Sequence, residues 1–273
     1  MKNTIIVGAL GLGVSAAMLA FGFYAGSART SIAGSGPSMA SMNRMEPISL
    51  DRGGVEEIVR DYLVNNPEIL AEMQVALSQK QEEEQRLAQQ GVIEEAGDEI
   101  FNASYDGMIG NPEGRVTIVE FFDYNCGFCK RALSDMETLV ERDDDLRFVL
   151  KEFPILGPDS QKAHIVSMAF RKLAPEKYGE FHTALLGGSG RATEAAALKV
   201  ALSLGMDEAA LREEMKNPEI NAAFASTYDL ANRLAITGTP SYVVGGEIIF
   251  GAMGRDVLAE KVEMARACLD GSC

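Results

Sequence analysis

Hydrophobic positions recur through residues 55–90 with the three- and four-residue spacing of an amphipathic helix. The pattern predicts one helix over 55–65 and a second after Asn66-Pro67, because Asn followed by Pro is typical of a helix start. The apolar stripe consists of Val55, Ile58, Val59, Tyr62 and Leu63, then Leu70, Met73 and Leu77. So narrow a stripe needs a partner to cover it. We favour self-association of this segment over packing on the main domain, with breaks expected near glycines 91 and 97.

Strand and helix signals alternate farther along the chain in the order of a βαβ unit. Residues 115–122 form a dense β-branched and aromatic run, 126–142 follow as a helix, and 146–153 form a second strand. This order places Cys126 and Cys129 at the turn from strand to helix.

The rest of the chain predicts a helical insert, a β-hairpin and a closing helix. Residues 158–235 are almost wholly helical in pattern, and strand signals return at 241–244 and 247–250 around a diglycine turn. A last helix is predicted over 255–269. The predicted fold class is therefore α/β: a thioredoxin-like fold with an inserted helical domain, preceded by an N-terminal helical oligomerisation segment.

The N-terminus is typical of an export signal, because Lys2 precedes an apolar run over residues 5–24. Small residues follow the run and offer a cleavage site, yet the run is also long enough to anchor the chain in the inner membrane. Both alternatives put the remainder in the periplasm, since the positive charge stays inside. The predicted parts are 1–28 signal peptide or anchor, 29–54 flexible linker, 55–97 helical oligomerisation segment, and 98–273 main domain with its insert at about 158–235.

Composition and net charge indicate a globular protein and disfavour negatively charged binding partners. A hydrophobic fraction of 47% and a charged fraction of 24% are ordinary for a globular protein rather than a disordered one. The net charge of −15 disfavours binding to nucleic acid or to an anionic lipid surface, which carry the same sign. We expect no nucleic-acid partner.

The four cysteines occur as two close pairs, Cys126/Cys129 and Cys268/Cys273, which suits an oxidising compartment. At a helix start, backbone N–H groups stabilise the thiolate of the first cysteine, and the second can release a bound substrate. We expect Cys126 to attack and Cys129 to resolve. A zinc site is the alternative, but it would need a second ligand pair of suitable spacing. Neither a metal nor a cofactor is expected.

The remaining candidates carry weaker signals. A small structural disulfide is expected between Cys268 and Cys273, with a second redox pair or a metal clip as the alternative. His164 and His182 have no partners at ligand spacing, so surface or lid positions are expected.

A Met-rich stretch in the linker repeats the residue at every third position, as Met39, Met42 and Met45. Thioether sulfurs suit Cu(I), so a copper-binding segment is one interpretation. A low-complexity tether is the other, and we favour it because no other ligand types are nearby.

Three motifs carry a resemblance to a known family. Residues 120–130, EFFDYNCGFCK, resemble the active-site segment of the DsbA family, and residues 151–158 and 238–241 also resemble it. The likeness covers roughly residues 100–265 and is greatest to the suppressor-of-copper-sensitivity C (ScsC) and Com1-like branches. The helices of 55–90 are similar to the oligomerisation segment of the ScsC-like branch. The resemblance implies a thiol–disulfide oxidoreductase.

The resemblance also implies roles for individual residues. Thr239-Pro240 matches the cis-proline dipeptide of the family, which lies beside the CxxC and contacts substrate together with the intervening Gly127-Phe128. Glu120 matches the buried acid beneath the resolving cysteine, where it would shuttle a proton; a surface acid on an edge strand is the alternative. The Gly-Phe dipeptide lacks the histidine of the strongly oxidising members and looks more like the isomerase branch.

The sequence therefore predicts a periplasmic disulfide isomerase or reductase that oligomerises through residues 55–90. Its expected partners are unfolded or misoxidised envelope proteins, a membrane thiol-redox protein and other copies of itself. A monomeric DsbA-like dithiol oxidase is the first alternative. A copper-binding or copper-handling protein that uses the Met-rich stretch and the reduced cysteines is the second.

Overall fold

The computed structural model describes residues 51–272. The helices are α1 (Arg52–Asn65), α2 (Glu68–Glu95), α3 (Gly97–Phe101), α4 (Gly127–Arg142), α5 (Pro158–Leu173), α6 (Tyr178–Leu186), α7 (Glu194–Ser203), α8 (Glu208–Glu214), α9 (Pro218–Arg233) and α10 (Arg255–Leu269). The strands are β1 (Gly107–Gly110), β2 (Val116–Phe122), β3 (Leu146–Glu152), β4 (Ser241–Val244) and β5 (Glu247–Phe250). The chain divides into two units, of which the first ends at Val64 and the second begins at Asn65.

In the described part of the chain, five strands form one mixed sheet in the order β1-β3-β2-β4-β5. Strands β2 and β3 are parallel and are joined by α4, as the predicted βαβ unit requires. The other neighbours are antiparallel, and β4 and β5 form the predicted hairpin. The helices α5 to α9 form the predicted insert between β3 and β4.

The central strand β2 supplies side chains to both faces of the sheet, because successive residues of a strand point to opposite sides. Ile118 and Phe122 enter a core that also receives buried side chains of α4, α10 and the insert. Val119 and Phe121 enter a second core on the other face, with α3, α9 and the end of α2. Glu120 has the same parity as Ile118 and Phe122, so it points to the face that α4 covers.

The second core holds the C-terminal end of α2 against the sheet. Ile93 of α2 and Ile100 of α3 are buried there, and the Gln89 side-chain amide donates to the carbonyl of Leu234 at 3.0 Å. The helix continues through Gly91, where a break was expected, because glycine costs a helix only about 1 kcal/mol. The chain breaks once in this region, before α3.

The N-terminal half of α2 leaves its apolar side chains exposed. Leu70, Met73 and Leu77 are each more than half exposed, and we call this set the α2 stripe. Helix α1, in the first unit, has no buried residue either. Within residues 51–272, no helix combines the length and the apolar character needed to cross a membrane. The predicted signal or anchor over residues 5–24 lies outside the described residues.

The edge strand β1 was not predicted from the sequence. It has four residues, two of them glycine, and so offers no alternating pattern to read. Gly107 is required there because a Cβ atom would lie 1.9 Å from the ring of Tyr178, which crosses the strand.

Replacing Ile100 by Ala should destabilise the second unit by about 2–5 kcal/mol, because Ile100 is fully buried in the second core. The measurement is urea unfolding of the reduced protein. Leu87→Ala, an exposed position on α2, is the matched control and should change stability by no more than about 0.5 kcal/mol. Equal losses in the two variants would contradict the docking of α2 and α3 on the sheet.

Candidate active site

The two central cysteines lie at the start of α4. Cys126 is the N-cap residue, and its Sγ accepts the backbone N–H of Cys129 at 3.5 Å. Both residues are buried and both are free thiols. The strand β2 delivers the chain to this point, so the first thiol meets the unpaired N–H groups of the helix start.

Cys126 has the properties of an attacking thiol. A hydrogen bond from the Cys129 thiol lowers the pKa of Cys126 to about 5, against the opposing effect of burial. Backbone N–H groups of Cys129 and Phe128 act in the same direction. The thiolate, which is the nucleophilic form, therefore predominates at neutral pH. Its donors come from the helix start and the second cysteine, without a histidine between the cysteines.

Cys129 has the opposite electrostatics. Burial first, then its hydrogen bond to Cys126 and the charge of Glu120, raise the pKa of Cys129 well above its ordinary value. Cys129 therefore keeps its proton until a nearby base accepts it. This contrast fits the predicted roles of an attacking and a resolving cysteine.

The loop before β4 faces the first cysteine. The Thr239–Pro240 peptide bond is cis, and the Thr239 carbonyl oxygen lies 3.1 Å from the Cys126 sulfur, whose proton it accepts when Cys126 is in the thiol form. The Pro240 carbonyl accepts the N–H of Gly251 at 2.9 Å, which links the loop to the end of β5. The cis-proline dipeptide and the CxxC are thus brought together, as the resemblance implies.

Glu120 lies on the central strand of the sheet, and only 3% of it is exposed. The alternative of a surface acid on an edge strand is therefore wrong. Burial, followed by the charge of Cys126, raises the pKa of Glu120 to about 8, while a hydrogen bond with Tyr242 opposes the rise. A carboxyl group with a pKa near neutrality exchanges protons readily, and its charge reaches Cys129.

Comparison with known families decides the assignment. Residues 117–263 match the DSBA-like thioredoxin domain. The chain belongs to this family. Residues 51–84 of this DsbA-like protein match the N-terminal domain of the copper resistance protein ScsC. The predicted family, fold class and enzyme class, a thiol–disulfide oxidoreductase, are confirmed.

Solved structures agree with this assignment. A thioredoxin-like oxidoreductase from Silicibacter pomeroyi is 41% identical, with a TM-score of 0.59 over 62% of this chain and 96% of that one. Proteus mirabilis ScsC in a transitional conformation is 29% identical, with a TM-score of 0.59 over 80% of this chain and 98% of that one. Among curated relatives, the Na(+)/H(+) antiporter NhaA 3 of Salinispora tropica is 25% identical over 162 residues, 59% of this chain. The DsbA-like chain spans 25% of the length of that relative.

The two residues between the cysteines of the DsbA-like site lie in more open surroundings than the cysteines themselves. Phe128 is largely exposed, and the Arg131 guanidinium lies 4.2 Å from the centre of its ring. Gly127 has open space where a Cβ atom would stand. Cys268 is disulfide-bonded, and its predicted partner Cys273 lies outside the described residues, so the pairing stays a prediction. The Met-rich copper segment also lies outside the described residues and stays a prediction.

Of the two positions expected for the histidines, the surface is wrong, whereas the helical insert does contain both of them. His164 on α5 and His182 on α6 are fully buried, and both rings contact Phe122. Burial lowers the pKa of His182 to about 3, so its ring is neutral. His164 contacts Glu152, a buried acid that the sequence reasoning did not single out. A charged residue inside the predicted strand 146–153 was the available signal, because a charge within a strand is rarely buried without a partner.

Burial and the charge of Cys126 raise the pKa of Glu120, but Cys126 is uncharged in the mixed disulfide, so the carboxylate form of Glu120 becomes available to accept the Cys129 proton. Replacing Glu120 by Gln removes this acceptor and should slow the resolving step by about 100-fold at neutral pH. The measurement is release of a fluorescent client peptide from its mixed disulfide with Cys126, followed by stopped flow. Glu141→Gln, on the exposed side of α4, is the matched control and should resolve at the wild-type rate. Equal rates for both variants would remove the shuttle role.

The same substitution should change how stability depends on pH. The pKa of Glu120 is about 8 in the folded protein against an ordinary 4.5, so between these values the folded state holds a proton that the unfolded chain has released. Stability due to Glu120 therefore falls as pH rises from about 4.5 to 8, by at most ~1.4 kcal/mol per pH unit. Urea unfolding of the reduced protein at several pH values should show this slope in the wild type minus Glu120→Gln difference. A difference independent of pH would contradict the burial argument.

Proposed function

We propose that this DsbA-like oxidoreductase is a disulfide isomerase and reductase of the bacterial periplasm, which acts on misoxidised envelope proteins as a homo-oligomer. The observation that carries the proposal is the exposed α2 stripe, on the segment that matches the ScsC N-terminal domain, in a protein whose Cys126 and Cys129 are free thiols. An isomerase needs a reduced dithiol whose first sulfur is a thiolate at neutral pH.

The exchange proceeds in two displacements. The Cys126 thiolate attacks one sulfur of a client disulfide, forms a mixed disulfide and releases the other client sulfur as a thiolate. That thiolate can attack a second client disulfide and form a new disulfide there. The client sulfur displaced in this step then attacks the mixed disulfide and releases the Cys126 thiolate, which rearranges the client without net oxidation. Alternatively, Cys129 passes its proton to Glu120 and attacks Cys126. The client then leaves reduced by two electrons, and the enzyme holds a Cys126–Cys129 disulfide.

Exposed apolar side chains next to Cys126 support unfolded clients as substrates. Phe128 follows it in the CxxC, and Leu156 is fixed beside the same loop because its N–H donates to Asp123 at 2.9 Å. Met253 is exposed on the loop whose start is hydrogen-bonded to Pro240. Unfolded chains expose the apolar segments that such surfaces bind, whereas folded proteins bury them.

The α2 stripe supports self-association. Three apolar side chains on one helix face are costly to leave in water, and association of helices covers such a face. The match of residues 51–84 to the ScsC N-terminal domain lies over the same segment. In an oligomer, several Cys126 thiolates surround one client, and a partner that oxidises a monomeric enzyme is hindered.

The periplasm is supported by the predicted export signal and by the dithiol chemistry, since thiol–disulfide exchange on clients requires a compartment where disulfides form. A dithiol that is spent on reduction must be reduced again. We therefore propose a membrane thiol-redox partner that supplies two electrons to the Cys126–Cys129 disulfide.

A dithiol oxidase is the second candidate, and the low pKa of Cys126 favours it. Stabilising the thiolate stabilises the reduced enzyme and makes its disulfide a stronger oxidant. The isomerase acts in its reduced form on clients with wrong disulfides, whereas the oxidase acts in its disulfide form on clients with free thiols.

The deciding experiment compares two ribonuclease assays. The reduced enzyme should restore activity to scrambled ribonuclease, and Cys126→Ser should restore none, because the attacking sulfur is missing. Cys129→Ser is the control that keeps the attack and loses the reduction of clients. An enzyme that oxidises reduced ribonuclease yet leaves scrambled ribonuclease inactive would be an oxidase, and the isomerase proposal would fail.

Placing charges in the α2 stripe should separate oligomerisation from chemistry. We expect Leu70→Glu/Leu77→Glu to be monomeric by light scattering and to lose scrambled-ribonuclease activity by about tenfold or more, because multivalent contact with the client is lost. Reduction of a small disulfide should be unchanged. Gln79→Glu, on the opposite face of the helix, is the charge control and should keep the wild-type mass. A wild-type mass for the double variant would show that the stripe does not assemble the protein.

A further inference from the structure

A buried carboxylate at the end of β3 collects three side-chain donors. Glu152 accepts the Nδ1 side of His164, the Ser167 hydroxyl at 2.6 Å and the Tyr178 hydroxyl at 3.1 Å. All four side chains are buried. Such a carboxylate is retained in a core only where several donors replace its water.

Two of these donors, His164 and Ser167, connect Glu152 to both ends of Tyr124. The backbone N–H of Tyr124 donates to Nε2 of His164 at 3.2 Å, and its hydroxyl lies 2.8 Å from the Ser167 hydroxyl. Because Ser167 gives its own proton to Glu152, it accepts the proton of Tyr124. One carboxylate thus holds both ends of a residue that lies two positions before Cys126.

The direction of each hydrogen bond fixes the protonation of His164. Nε2 accepts a backbone N–H, so it carries no proton, and the ring proton lies on Nδ1. A proton on Nδ1 needs an acceptor, which Glu152 provides. The rival arrangement would put the proton on Nε2 and direct it to Asp123, but that carboxylate oxygen is 3.9 Å away. The same Asp123 oxygen already accepts the N–H of Asn125 at 2.7 Å.

We propose that Glu152 is a positioning residue of the active site. It selects the Nδ1–H form of His164, whose free Nε2 then holds the N–H of Tyr124 and, with it, the loop that presents Cys126. This role applies to isomerisation and to oxidation alike, because both begin with the same thiolate.

The other side of the loop is already fixed, which makes the His164 contact decisive. The Asn125 side chain donates to the Ala192 carbonyl at 2.9 Å and accepts the N–H of the same residue at 2.8 Å. If His164 carried its proton on Nε2, that proton would face the Tyr124 N–H, and two donors would repel each other. The loop would then move, and the Cys126 sulfur would shift from the N–H groups that stabilise it.

Glu152→Gln tests the proposal with little change of shape. The Gln carbonyl can still accept from Ser167 and Tyr178, which leaves its NH2 group facing Nδ1 of His164. Nδ1 must then accept, and the ring proton moves to Nε2. Glu152→Asp is the conservative variant that restores a carboxylate. Lys151→Met is the matched control: it removes the neighbouring buried charge, which lies at the next position of β3 and so points to the opposite face of the sheet, where it contacts the Glu99 carbonyl and Asp106.

The first readout is the tautomer itself. The chain has two histidines, so their ring nitrogens can be assigned in long-range proton–nitrogen NMR spectra. We expect Nδ1–H for His164 in the wild type, Glu152→Asp and Lys151→Met, and Nε2–H in Glu152→Gln. Nε2–H in the wild type would overturn the proposal, and that measurement needs no variant to fold.

The second readout is the chemistry of Cys126, which a merely structural role would leave unchanged. Thiolate absorbance should titrate about half a unit or more higher in Glu152→Gln than in the wild type. The equilibrium with glutathione should shift towards the oxidised enzyme by about threefold, since a less stable thiolate disfavours the reduced form. Lys151→Met should leave both values at wild type even though it lowers stability. A Glu152→Gln variant that has changed tautomer but keeps the Cys126 titration and the glutathione equilibrium would also overturn the proposal.

Discussion

The sulfur atoms of Cys126 and Cys129 are three residues apart in the chain but have very different environments. The rest of the site depends on that difference. Cys126 receives hydrogen bonds at the helix start, whereas Cys129 lies on the buried side of α4, shielded from solvent and close to the charge of Glu120. Water near Cys129 would relieve the desolvation that keeps its proton in place. The site therefore works only if α4, β2 and the loop of Thr239-Pro240 stay closed around the second sulfur.

The strand β2 links this site to the rest of the molecule. Its even positions place Glu120 beneath α4, and its odd positions enter the core where α2 and α3 dock. The loop that follows β2 is held in turn by β3 and α5, through Glu152 and His164. Elements distant in sequence thus set the position of Cys126 to within the reach of a hydrogen bond, which is what an exchange reaction between sulfurs requires.

Much of this arrangement could be predicted from the sequence. For the parts that could not be predicted, there are physical reasons. The strand before Cys126, the helix after it and the final hairpin have strong periodic patterns, and the structure has them at nearly the predicted bounds. Strand β1 was not predicted because two of its four residues are glycine. The buried positions of His164 and His182 were not predicted because helical periodicity does not tell which polar residue has a partner on a distant strand. The acid Glu152 could have been noticed, since it lies within a largely apolar run that was itself predicted to be a strand.

The docking of α2 has a consequence for the size of client that an assembly can hold. The helix α2 has 28 residues and is therefore about 42 Å long. Its N-terminal end carries the α2 stripe, and its C-terminal end packs on the sheet. A continuous helix holds its two ends at a fixed distance, as a flexible linker does not. The C-terminal end of α2 is fixed in the second core by Ile93. In the proposed homo-oligomer joined through the α2 stripe, the separation between active sites would be set by a rigid length. Such a geometry would favour clients wide enough to reach from one thiolate to the next, and it would keep the enzyme's own dithiols from reacting with one another.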